Sequence, residues 1–162
     1  MANLYLYSEI DEDLATKLLK KIDKAEEPIL LHICSVGGDA YVGLALYDRI
    51  RQAPVAIHTI AQGLCGSAAL TVLQAGTTRS MTESSFLYMH VGDANYGTLK
   101  PDRARQELRS HEQSEQMHNN IILRHSNLEL LDIEKLNKNE SYIDAKYALQ
   151  LGLIDQVLKG KK

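Results

Sequence analysis

Gly63-Leu64-Cys65-Gly66-Ser67-Ala68-Ala69-Leu70 lies between two apolar runs, and its reading decides the fold. The run before it, Val55 to Ile60, is short and β-branched, which predicts a buried strand. The run after it, Ala68 to Ala75, is rich in helix formers and stops at Gly76, which predicts a buried helix. Ser67 therefore falls where a strand and turn meet a helix N-terminus. Free backbone N–H groups and the helix dipole favour negative charge at such a point. An acyl-transfer nucleophile uses that place, and so does a plain N-cap serine. The stretch alone leaves both readings open.

Upstream, the pattern repeats. Asn3 to Tyr7 reads as a first strand. Leu14, Leu18, Leu19 and Ile22 then fall at helical spacing behind the acidic start Asp11-Glu12-Asp13. Ile29 to Ile33 is a second strand, apolar except for His32, as in a sheet covered on both faces. Ser35-Val36-Gly37-Gly38-Asp39 is a turn, and Val42, Leu46 and Ile50 mark the next helix, which Pro54 ends. The order β-α-β-α-β-α predicts an α/β fold with parallel pairing and right-handed crossovers. Functional groups in such sheets gather at the carboxyl ends of strands, where Gly37-Gly38 and Ser67 both lie.

Downstream, Gly76 opens a polar turn, and Phe86 to His90 is a short strand with His90 at its carboxyl end. Pro101 starts a long helix in its favoured first-turn place, running to about Arg124. The middle of that helix, Arg109 to Gln116, is polar all round, so it bridges solvent or meets a partner chain. A helix around Leu130 to Leu136, the apolar pair Tyr142-Ile143, a helix from Asp144 to Leu151 and a strand from Leu153 to Leu158 complete the chain. His111, His118 and His125 recur every seven residues, about 10.5 Å apart along the axis. That is too far for one metal, and they read as a partly solvated face or a pH-sensitive subunit contact.

Composition narrows the function classes. With 162 residues the chain is one domain, 1–162. A net charge of −3 gives no basic footprint for nucleic acid. No apolar run reaches the length of a membrane span, and the N-terminus lacks a signal-peptide pattern. Cys34 and Cys65 form no metal pattern, and a reduced cytoplasmic compartment is the default expectation. Cys65, with nothing near it to lower its pKa, reads as a small buried residue rather than a nucleophile.

Three strand ends thus bring together Gly37-Gly38, Ser67 and His90. A serine, a histidine base and a pair of backbone donors are the parts of an acyl-transfer site. A histidine satisfied at a strand end is the plainer alternative for His90. The segments Ile33 to Gly38 with Gly43 to Asp48, Gly63 to Ala69, Tyr88 to His90, and Ala145 to Asp155 resemble, in order and spacing, those of ClpP, the proteolytic subunit of the Clp protease. The resemblance spans about Asn3 to Leu158. It implies a ClpP/crotonase-like α/β fold with a mostly parallel sheet and a protruding handle helix at about 101–125. It also implies a serine endopeptidase that cuts unfolded polypeptide inside stacked heptameric rings, with a Clp ATPase of the AAA+ class or other ClpP-type subunits as partners. No cofactor, metal, nucleic acid or membrane is implied.

Carried over by position, Ser67 is the nucleophile, His90 the base, and Gly38 and Ala68 the oxyanion-hole donors. The family's third residue, an aspartate, falls on Glu140, one methylene longer; Asp144 and Asp93 are rival carboxylates. Val36 stands where the family usually has proline. The given sequence starts at the first strand, without the family's N-terminal axial hairpin, which bears on ATPase pairing and suggests an accessory or phage-encoded variant. A weakly catalytic structural subunit of a mixed ring is the second expectation. An acyl-CoA enzyme of the crotonase group is the third.

Overall fold

The computed structural model describes residues 1–92 and 99–160. Alternation of strand and helix begins as the apolar pattern predicts: β1 (Ala2–Leu6), α1 (Glu12–Ile22), β2 (Ile29–Ser35), α2 (Ala40–Arg51), β3 (Ile57–Gly66) and α3 (Ala68–Leu73). Then follow β4 (Arg79–Thr82), β5 (Phe86–Met89), α4 (Pro101–His125), α5 (Leu130–Lys138), β6 (Ser141–Asp144), α6 (Ala145–Gln150) and β7 (Gln156–Leu158). Asp11 and Asp39 cap α1 and α2 by accepting from the Leu14 and Val42 N–H groups at 2.7 and 2.9 Å.

The sheet runs β1-β2-β3-β4-β7 and is parallel along that path. β3 is its axis. The first half of β3 pairs with β4 through Thr59 to Ala61, and its last residues, Leu64 to Gly66, pair with β5. β6 joins β5 antiparallel, the one exception to the predicted direction. Leu6, Ile33, Leu46, Leu70, Leu73 and Leu87 are fully buried in one continuous core. Each such side chain contributes about 2 kcal/mol by leaving water.

Two elements differ from the sequence expectation. β3 extends beyond Ile60 to Gly66, across a register break against β2 and through Gly63 at φ +62°. Apolar pattern alone ends the strand at the polar Gln62; the ladder to β5 carries it on. β4 was expected to be a polar turn. Arg79 holds it in the sheet: its backbone N–H donates to Asp155 Oδ2 at 2.7 Å, and its guanidinium donates to Gln74 Oε1 and the Gly152 carbonyl at 2.7 and 2.9 Å.

The long helix is present, and only Ser114, Ile121 and Ile122 are buried along its 25 residues. Its N-terminal half is mostly exposed. All three histidines of the series are half-buried, and two of them bond within the fold. His118 Nδ1 bonds the Thr71 hydroxyl, and His125 Nε2 lies 2.7 Å from the Tyr47 hydroxyl. The C-terminal half of α4 lies across α2 and α3, so what reads as a polar face meets protein. Among the described residues no helix is long and apolar enough to cross a membrane.

Candidate active site

Ser67 follows directly on β3 and adopts φ 52°, ψ −128°, a region disfavoured for any residue with a Cβ. Although it occupies the N-cap position of α3, its side chain makes no capping bond. The plain N-cap reading thus does not describe it; its hydroxyl is left for other work. α3 has only six residues, so its dipole counts for less here than individual N–H groups do.

The glycine turn is fitted against this serine. Gly37 has φ +113°, and a Cβ there would lie 2.7 Å from Ser67 Cβ and 2.9 Å from the Gly66 carbonyl. Its N–H donates to Ser35 Oγ at 3.1 Å. Ile10 clamps the turn from the other side: its N–H donates to the Gly37 carbonyl at 2.7 Å, and its carbonyl accepts from the Asp39 N–H at 2.9 Å. Among the described residues, neither the Gly38 nor the Ala68 N–H has an acceptor. Both residues line the same cavity as Ser67.

β5 supplies the histidine. Gly66 pairs with Tyr88 in the parallel ladder, so His90 emerges beside the serine. The His90 ring stacks on Tyr88, centroids 4.9 Å apart and planes 12° apart, and Tyr88 stacks on Tyr142 at 4.6 Å. This column sets the orientation of the imidazole. Ser67 and His90 line one cavity of about 580 Å³, bounded on the far side by α4. Among the described residues they share no hydrogen bond; the contact between base and nucleophile tightens in many such sites only when substrate binds.

Glu140 and Asp144 lie outside this cavity lining. Met89 faces Ser141 in the antiparallel ladder, so His90 and Glu140 are the next residues beyond its end. Glu140 has φ 48°, and its side chain is exposed and outside the cavity lining. Asp144 caps α6, its Oδ1 accepting from the Tyr147 N–H at 2.8 Å. Asp93 lies outside the described residues. Cys65 is fully buried, and burial followed by the neighbouring Cys34 pushes its thiol pKa upward, so it is no rival nucleophile.

Two cavity residues escaped the sequence reading. His118 lines the cavity, and burial together with nearby His90 lowers its pKa to about 4. Asn137, three residues before Glu140, also lines it, and its Oδ1 has no partner among the described residues. The seven-residue histidine series marks His118 but not its place in the cavity, and no pattern marks Asn137; the packing of α4 and α5 brings both in. Among the described residues no group of three or more metal-ligating side chains is assembled.

The chain resembles Clp proteases in both sequence and fold. A family model described as Clp protease matches residues 2–161. The chain is 29% identical to the ATP-dependent Clp protease proteolytic subunit 2 of Corynebacterium efficiens, covering 96% of this chain and 81% of that protein. It is 28% identical to proteolytic subunit 3 of a Synechococcus strain, with the same two coverages, 96% and 81%. Among solved structures, a ClpP1 variant from Listeria monocytogenes superposes with a TM-score of 0.86 at 18% identity, covering 98% of this chain and 92% of that one.

Proposed function

This chain belongs to the Clp protease family, and from that premise we propose that it is a serine endopeptidase subunit in which Ser67 attacks the peptide carbonyl. His90 takes the hydroxyl proton and returns it to the leaving amine. The N–H groups of Gly38 and Ala68 hold the oxyanion. The observation that carries this reading is the uncapped, strained Ser67 sharing one cavity with His90 and two N–H groups without acceptors.

Glu140 is the group that steadies the imidazolium in this reading. Its support is register: it stands across from His90 at the end of the β5–β6 ladder. Its carboxylate must turn inward to act, and its extra methylene gives it the reach.

Assembly into stacked heptameric rings, with α4 as the contact between rings, follows from the same reading. α4 spans about 37 Å, and Leu108 and Met117 on it are 43% and 57% exposed. Apolar side chains on a mostly exposed helix are surface that a partner covers. A Clp ATPase or a second ClpP-type chain is the partner proposed for delivery of unfolded polypeptide.

The second reading is a weakly active structural subunit of a mixed ring, and the outward Glu140 is the observation in its favour. Intact mass after fluorophosphonate treatment separates the two. One adduct on the wild type, absent in Ser67→Ala, establishes the activated serine. No adduct on assembled protein favours the structural subunit. Native mass spectrometry at micromolar concentration tests the rings, and a monomer mass contradicts them.

A further inference from the structure

Beyond Ser67 the cavity continues between α3 and α4, and its walls there are polar. Thr71 lies one turn along α3, about 6 Å on, and its hydroxyl bonds His118 Nδ1. His118 Nε2 has no partner among the described residues. Asn137 is 8% exposed and lines the same recess; its Nδ2 donates to Asn119 Oδ1 at 3.2 Å, while its Oδ1 is buried with no donor among the described residues. Ser114 and Asn119 complete this end of the cavity. The final torsion of an asparagine is soft, so a small turn presents that oxygen to the recess.

We propose that this recess binds the side chain of the residue whose carbonyl Ser67 attacks, and that it selects a carboxamide, glutamine above all. The inference rests on the reading of Ser67 as the attacking group. A carboxamide carries an N–H donor for Asn137 Oδ1 and a carbonyl acceptor for a His118 Nε2–H. That tautomer follows when the Thr71 hydroxyl donates to Nδ1. The depressed basicity of His118 keeps the ring neutral near pH 7, so it offers a dipole and not a charge. An aliphatic side chain brings neither group, and by covering the recess it leaves the His118 Nε2–H and the Asn137 oxygen without partners. A glutamate side chain brings acceptors only and meets the Asn137 oxygen. Lysine brings donors only and leaves His118 unsatisfied.

The test measures binding, so it does not depend on turnover. Assembled Ser67→Ala protein is titrated by calorimetry with product-like peptides that differ only in a C-terminal Gln, Leu, Lys or Glu. The Gln peptide is expected to bind about 10-fold to 100-fold more tightly than the Leu peptide. His118→Leu and Asn137→Leu, each made in that background, are expected to erase or invert the ratio. Thr71→Val, a milder change that leaves the imidazole in place, is expected to reduce it. Leu, Lys or Glu peptides binding as tightly as Gln, or no peptide binding at all, overturns the assignment. Fluorophosphonate labelling of the wild type separately reports whether Ser67 is activated, so the two readings fail independently.

Discussion

The Ser67 backbone N–H donates to the Tyr88 carbonyl at 3.1 Å, tying the turn that carries this serine to the strand that carries His90. The Tyr88 ring, in turn, is the plate on which the His90 imidazole stacks. Serine and histidine are therefore positioned relative to each other through one residue, Tyr88. A Cβ on Gly66 would lie 3.0 Å from Tyr88 Cβ, so the two strands have no slack. Gly66→Ala is expected to slow fluorophosphonate labelling by about 10-fold to 100-fold, with a smaller effect on the melting temperature.

Gly37 is a second contact of this kind. Gly37→Ala places a methyl against Ser67 Cβ at a φ of +113°. The expected outcome is a labelling rate lowered by about 100-fold or more and a stability loss of about 1–3 kcal/mol. Denaturant unfolding of the same preparation checks the second figure.

Ser67 and Glu140 are the two non-glycine residues with positive φ among those described. Relieving that backbone cost and removing the chemistry happen in one substitution. Ser67→Gly and Glu140→Gly are each expected to raise stability by about 1 kcal/mol. Ser67→Gly abolishes labelling. Glu140→Gly slows it, and a rate equal to wild type would remove Glu140 from the mechanism.

Arg79 joins β4 to the C-terminal segment. Burial opposes the charge on Asp155, but hydrogen bonds and charge from Arg79 outweigh it and hold the carboxyl below its ordinary pKa. A depressed carboxylate pKa stabilises the fold above its unfolded value, and that contribution is lost as pH falls through the folded value. Arg79→Met is expected to cost about 2–4 kcal/mol near neutral pH and to flatten the acid limb of the stability curve. Urea titrations at several pH values read both.

His118 acts in the same direction at higher pH. Its folded pKa of about 4 lies below the ordinary 6.5, so the unfolded chain binds the extra proton between those values. Stability is complete above pH 6.5 and declines as pH falls toward 4, by on the order of 2–3 kcal/mol. His118→Leu is expected to remove that slope while leaving the Asp155 limb in place.

Local patterns determined most of the architecture. The β-branched run at Val55 to Ile60, the apolar spacing of Leu14 to Ile22 and the glycine turn at Gly37-Gly38 each act over one element, where side-chain periodicity and backbone freedom are set by neighbours in the chain. They were sufficient to place Gly38, Ser67, Ala68 and His90 at strand ends, and family likeness supplied their roles. β4 escaped because Arg79 is polar in sequence and its partners, Gln74, Asp155 and the carbonyls of His125 and Gly152, lie up to 76 residues away. The recess escaped for the same reason. His118 and Asn137 look like solvated residues of α4 and α5, and only the packing of α4 on α3 and of α5 on α4 brings them to the cavity that holds Ser67. Their character is a property of what packs on them, which a one-dimensional pattern does not contain.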